Sequence, residues 1–168
     1  MLRSVRLPGG IAGSLRLDSM PGRSEPLELV WGQLRSHGGR VIVCLAAPDE
    51  IRAKSPEYAA ALETKTLPCQ VEAFPIPDFG VPDDREAFWS LASRLAKQLR
   101  AGDRVLIHCG AGIGRTGTLA TSVLLALGES RVKAEQAVSA AGSHPETAEQ
   151  KELVSWCAAR MGPLRGGR

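Results

Sequence analysis

Cys109 stands between an apolar run at 105–107 and a segment with three glycines in five positions, Gly110, Gly112 and Gly114. Arg115 follows six residues after it. The apolar run reads as a short buried strand, and the apolar series at 119–127 as a buried helix. A glycine-rich turn between strand and helix is an anion cradle, because its amides can all point inward. The helix N-terminus adds partial positive charge at the same spot. A thiol at its mouth feels those amides, the helix end and Arg115, each of which favours thiolate over thiol. Arg115 brings a planar fork that holds two oxygens of one tetrahedral anion. The chemistry predicted is in-line attack of the Cys109 sulfur on phosphorus, giving a cysteinyl-phosphate. Gly110, Ala111, Gly112, Ile113, Gly114 and Arg115 then form the phosphate-binding loop.

Such a transfer needs an acid to protonate the leaving oxygen, placed on a loop that can close over substrate. Asp78 fits, because it follows a strand and lies in the proline-bounded stretch Pro75-Ile76-Pro77-Asp78-Phe79-Gly80-Val81-Pro82. Asp83 and Asp84 are rival acids, but both read better as helix N-terminal residues. The Thr116 hydroxyl can reach toward the Cys109 sulfur, and His108 reads as a structural side chain that fixes the loop backbone. Cys44 ends a strand near the same sheet edge, while Cys69 and Cys157 read as bystanders.

The elements that position these groups alternate. Residues 4–7 and 14–17 suggest a hairpin at the sheet edge, separated by Pro8-Gly9-Gly10. Ser24 is placed to cap a helix with Leu27, Val30, Trp31 and Leu34 on one face. Residues 41–45 read as a central parallel strand, 49–65 as partly helical with a start at Pro56, and 70–76 as a further strand. Asp83 and Glu86 resemble a capping box for a long helix burying Phe88, Leu91, Leu95 and Leu99. Ser130 caps a shorter helix with Ala134, Ala137, Val138 and Ala141 inward, and a last helix carries Leu153, Val154 and Cys157. The pattern predicts a single α/β domain over 1–161, with a mainly parallel sheet of about five strands and helices on both faces. Ligands should bind at the carboxyl ends of its strands. Residues 162–168 read as a disordered tail.

Composition sets bounds on function. The 168 residues are 43% hydrophobic with net charge +3, from 21 basic and 18 acidic side chains. No basic run interleaved with aromatics suggests a nucleic-acid face, and no apolar segment is long enough for a bilayer or a signal peptide. Four cysteines without Cys-x-x-Cys spacing and only three histidines argue against a zinc site. The expectation is a cytoplasmic monomer without metal or cofactor, in a reducing compartment. The alanine, glycine and arginine bias fits a bacterial source.

The run His108-Cys109-Gly110-Ala111-Gly112-Ile113-Gly114-Arg115-Thr116 resembles the HCxxGxxR signature of the cysteine-based protein tyrosine phosphatase superfamily. Met20-Pro21-Gly22, Asp49-Glu50-Ile51 and the Asp78 loop occur in the order seen in compact dual-specificity phosphatases, nearest their kinase-associated, cyclin-dependent-kinase-inhibitor-like branch. The resemblance implies a phosphatase fold, metal-independent hydrolysis, Asp78 as the moving acid, and Thr116 as an aid to thiolate departure. It further implies that Cys44 could form a reversible disulfide with Cys109, and that Gln150 could position hydrolytic water. Glu146 replaces the first glutamine of that water-positioning segment, and Pro145 with Glu146 equally suits an ordinary helix start.

The expected substrate is a phosphoprotein or phosphopeptide carrying phosphotyrosine, and also phosphoserine or phosphothreonine. The single tyrosine, Tyr58, and the few aromatics offer no clear stacking wall. A nucleotide, RNA end, inositol phosphate or phosphoinositide is the enzymatic alternative, although the variable loop positions add no cation. A non-catalytic phosphoprotein-binding module is the alternative outside catalysis. Cys109→Ser should abolish phosphate release while retaining substrate binding. Arg115→Lys should also be severely impaired, because a point charge does not replace the fork. Steady-state release and equilibrium binding on the same substrate check both.

Overall fold

The computed structural model describes residues 1–161, so the tail at 162–168 lies outside the described residues. Twelve elements follow in order: β1 (Arg3–Val5), β2 (Ser14–Asp18), α1 (Leu27–Ser36), β3 (Val41–Cys44), α2 (Pro48–Lys54), α3 (Pro56–Thr64), β4 (Gln70–Ala73), α4 (Arg85–Arg100), β5 (Arg104–His108), α5 (Gly114–Ala126), α6 (Arg131–Ala140) and α7 (Ala148–Arg160). The five strands form one sheet in the order β1-β2-β5-β3-β4. Only the β1–β2 pair is antiparallel. The α/β class, the mainly parallel sheet and the edge hairpin thus match the sequence pattern.

Alternation along the strands sends side chains into two cores. Val105, Ile107 and Cys109 join Val41 and Val43 in the core built with α4 to α7. Leu106, Ile42 and Cys44 join the second core, with α1, α2 and α3. Helices therefore cover both faces, as a buried parallel sheet requires. β5 occupies the middle, with His108 in register with Asp18 of β2 and Cys44 of β3. Three carboxyl strand ends meet where the loop after β5 begins.

Several boundaries differ from the sequence reading. Pro26, not Ser24, is the residue before α1, and no side chain caps it. β4 stops at Ala73, although Phe74 and Ile76 still donate to the carbonyls of Cys44 and Leu45. Asp84, not Asp83, caps α4, accepting the Ala87 amide at 2.9 Å. α5 begins at Gly114, ahead of the apolar series, so Arg115 and Thr116 lie in its first turn. This helix is buried on every side from Gly114 to Leu125, which hides its amphipathic period. Two of its hydroxyls bond back along the helix, Thr118 to Gly114 O at 2.7 Å and Ser122 to Thr118 O at 2.9 Å, whereas those of Thr116 and Thr121 have no partner among the described residues. Among the described residues no helix is long and apolar enough to cross a membrane.

Gly117 marks where α5 presses against the α6–α7 connection. A Cβ added there would lie 2.6 Å from the His144 Cα, inside backbone rather than a movable side chain. Alanine would otherwise gain about 1 kcal/mol of helix propensity, but overpacking costs about 1–3 kcal/mol and here no flexible atom can yield. Gly117→Ala is expected to destabilise the fold by ~1–2 kcal/mol net, measured by urea unfolding. An unchanged or raised stability would contradict the close approach.

Candidate active site

The loop from Cys109 to Gly114 runs from the end of β5 into α5, and its carbonyls are held from outside. The Cys109 carbonyl faces His108 Nδ1 at 3.1 Å. The Gly110 carbonyl accepts Met20 N–H at 3.1 Å, and that of Ile113 accepts Gly117 N–H at 2.7 Å and His144 N–H at 3.3 Å. The Gly112 carbonyl accepts both Ser143 Oγ and an Arg3 nitrogen. A trans peptide points its N–H opposite to its C=O, so each tie turns the following amide toward the loop interior. Gly112 itself adopts φ +74°, and any Cβ there would collide with the Asp18 backbone. Its own N–H donates to Cys109 Sγ at 3.2 Å. The sulfur is buried beneath the mouth, where Ala111 is exposed.

Arg115 is buried, and both of its terminal nitrogens are engaged. Its two terminal nitrogens bind Glu50 as a fork, at 2.7 and 2.9 Å. One also donates to the Ile76 carbonyl at 3.0 Å and the other to Asp78 Oδ1 at 2.7 Å. Lys54, one turn after Glu50 on α2, reaches Glu50 at 2.7 Å and Asp78 at 3.4 Å. The Arg115 fork, with help from Lys54, holds the Glu50 carboxyl down to about 2. Although burial opposes the charge on Arg115, its bonds to Glu50 raise its affinity for the proton. Glu50 and Lys54 were not assigned roles from the sequence; their i,i+4 spacing was the available signal.

His108 is wholly buried, and burial pushes its imidazole down to about 4, so it is neutral. Because a carbonyl only accepts, Nδ1 carries the proton toward Cys109 O, and Nε2 accepts Tyr58 O–H at 3.0 Å. Tyr58 is itself buried, held edge-on between Trp31 and His108, and burial raises its hydroxyl far above its usual range. The side chain that offered no substrate wall instead anchors the loop's first residue.

Cys109, Arg115, Asp78 and Glu146 border one cavity of 230 Å³, together with Phe79, Lys54 and Arg23. Phe79 is 61% exposed at φ 58°, an uncommon backbone for an aromatic residue, on the loop that carries Asp78. Thr116 is buried nearby, but among the described residues its hydroxyl has no hydrogen-bond partner, so the expected contact to the Cys109 sulfur is not made. Gln150 does not face the cavity as a free amide. Its Oε1 accepts the amides of Glu146 and Thr147 as a capping box, and its Nε2 donates to Gly80 O at 3.1 Å. Cys44 belongs to the opposite core from Cys109 and lines a separate, mostly apolar cavity with Ile51 and Val71. Both thiols are free, and burial lifts that of Cys44 to about 11, which keeps it protonated and inert.

The arrangement can hold a tetrahedral oxyanion between inward amides and a guanidinium, directly above a sulfur. A family model described as "Polymorphic toxin system, DSP-PTPase phosphatase" matches residues 18–129. Among curated proteins, the chain is 44% identical over 54 residues to mouse (Mus musculus) tyrosine-protein phosphatase non-receptor type 4, covering 31% of this chain and 6% of that one. It is 39% identical over 64 residues to rat (Rattus norvegicus) cyclin-dependent kinase inhibitor 3, covering 38% and 29%. The chain thus matches only a small part of these relatives' length. Among solved structures, kinase associated phosphatase with its catalytic site cysteine changed to serine has the same fold. Its TM-score is 0.80 at 19% identity, covering 97% of this chain and 96% of that one.

The buried imidazole has a consequence for acid stability. Between pH about 4 and 6.5 the unfolded chain binds the proton that folded His108 refuses. Its contribution is therefore full above 6.5 and is lost as pH falls toward 4; the shift corresponds to on the order of 3 kcal/mol. Glu50 adds a loss of the same sign as pH falls from 4.5 toward 2. Urea unfolding should show stability dropping between pH 7 and pH 4.5, with a shallower drop in His108→Asn. Equal slopes in both proteins would contradict the neutral buried ring.

Proposed function

Since the chain belongs to the DSP-PTPase phosphatase family, we propose that it hydrolyses phosphate monoesters of tyrosine, serine and threonine in phosphoproteins. The single observation carrying this reading is the convergence of Cys109, Arg115 and Asp78 on one cavity. The Cys109 thiolate attacks phosphorus in line, forming P–S as the P–O ester bond breaks. Inward amides and the edge of Arg115 that Asp78 gives up take up the charge on the non-bridging oxygens. Asp78, as the general acid, gives a proton to the leaving oxygen. Water then attacks the cysteinyl-phosphate, Asp78 takes back a proton, and the P–S bond breaks to release phosphate and thiolate. Thr116, whose hydroxyl has no partner among the described residues, donates to the departing sulfur.

In this mechanism Glu50 is a positioning residue, because it holds the far side of the guanidinium while substrate displaces Asp78 from the near side. Gln150 positions the acid loop through Gly80 rather than holding water. Glu146, exposed at the cavity without a hydrogen bond to its carboxylate among the described residues, is the side chain that meets the hydrolytic water. Phe79 supplies an apolar wall beside the mouth and favours an aryl phosphate, hence phosphotyrosine. The enzyme on this reading works as a cytoplasmic bacterial monomer on phosphoprotein or phosphopeptide, with no nucleic acid, membrane, metal or cofactor.

Arg23 and Lys54 at the cavity favour a second reading, a small polyphosphorylated substrate such as an inositol phosphate or nucleotide. Parallel assays on a phosphotyrosyl peptide and on such small phosphates, in chelator, separate the two. Asp78→Asn should slow alkyl phosphates by about 10²-fold or more, the usual worth of a general acid. It should slow p-nitrophenyl phosphate much less, because that leaving group needs little protonation. Equal loss on both substrates would assign the acid elsewhere, and no metal-free turnover of any monoester would sink the reading itself.

A further inference from the structure

Resting on the reading of this site as an oxyanion loop, we propose that Arg3 of the edge strand is a positioning residue that keeps the loop in its anion-binding form. One terminal nitrogen of Arg3 donates to Gly112 O at 2.7 Å. The other donates to the last carbonyls around the end of α6, Ala141 O at 2.9 Å and Gly142 O at 2.8 Å. One planar fork thus clips two segments that lie 109 and about 138 residues away along the chain. Three carbonyls at a loop and a helix C-terminus suit a cation. No carboxylate pairs with Arg3 among the described residues, so its charge remains directed at the loop.

The chemistry follows from the geometry of one peptide. Gly112 O points out of the loop into Arg3 and the buried Ser143 hydroxyl, the latter at 2.6 Å. The N–H on the same peptide plane, that of Ile113, must then point inward, toward the anion. Gly112 is also the residue with positive φ, where glycine can turn over at little cost. Without an outside tie that peptide is free to flip, and a flip would present a carbonyl oxygen to a phosphate oxygen. Ser143 holds the same carbonyl with one neutral bond, while Arg3 adds a charged one and joins the loop to α6.

Arg3→Met keeps most of the stem and removes the fork, and Arg3→Lys keeps the charge without the two-pronged reach. Vanadate binding by calorimetry reads the loop directly, whether or not any substrate turns over. Arg3→Met should weaken vanadate by ~10-fold, the scale of one charge-assisted hydrogen bond, with a similar loss in kcat/KM. Arg3→Lys should recover only part of the loss, and Ser143→Ala combined with Arg3→Met should lose more than the product of the single effects. Thermal unfolding run alongside should leave Arg3→Met within a few degrees of wild type, because β1 has only three residues. Unchanged vanadate affinity in folded Arg3→Met overturns the proposal, as does full recovery by lysine. Vanadate weakened by the substitution while wild type turns over no monoester would instead keep Arg3's role and reject the phosphatase reading.

Discussion

The fold depends at one point on carbonyls held away from a place where amides are needed. A loop that surrounds an anion must turn its N–H groups inward, and unaided glycine-rich chain has little reason to prefer that to the reverse. Here the preference is supplied by the residue before the loop and by three distant segments: the end of β2, the α6–α7 connection and β1. His108, Met20, Ser143, Arg3 and the backbone of His144 each take or meet a carbonyl of the loop. Gly112 can then approach the end of β2 so closely that no side chain would fit. Preorganisation of this kind costs nothing further when the anion arrives, which is why fixed dipoles stabilise charge so effectively.

The second constraint is the buried guanidinium. A charge with 2% of its side chain exposed would be costly without partners. Glu50 meets it on one side with a bidentate pair, and Asp78 meets it on the other with a single bond. The two carboxylates differ in ways that matter. Glu50 sits on a helix and is mostly buried, so it stays. Asp78 is half exposed on a strained loop, so an incoming oxyanion can take its place beside Arg115 and leave it near the leaving group. Lys54 touches both acids and keeps the cluster from carrying excess negative charge.

Neutrality on the hidden side of the loop is set separately. His108 is uncharged because it is enclosed, and its tautomer is fixed by a carbonyl on one nitrogen and a tyrosine on the other. An imidazolium there would demand a buried counter-charge that the Tyr58 and Trp31 surroundings do not provide. Alternation separates Cys44 from Cys109: Cys44 is in register with His108, so Cys109, the next residue along, turns to the opposite core.

Local chemistry was legible in the residues alone wherever it follows from neighbours along the chain. The strand, loop and helix around Cys109 were readable because apolar runs and glycine spacing act over a few residues. The face of α1 carrying Leu27, Val30, Trp31 and Leu34 was equally plain from its period. The start of α5 was missed because burial on all sides removes the period that marks a helix, and the α1 cap because nothing in Ser24 itself reveals where the chain turns. What only the tertiary structure decided is which distant groups complete the loop. Glu50 on Arg115, Tyr58 on His108, Gln150 on Gly80, and Arg3 on Gly112 join residues separated by 50 to 109 positions. Such pairings depend on sheet order and on where helices end, and no spacing along the chain encodes them.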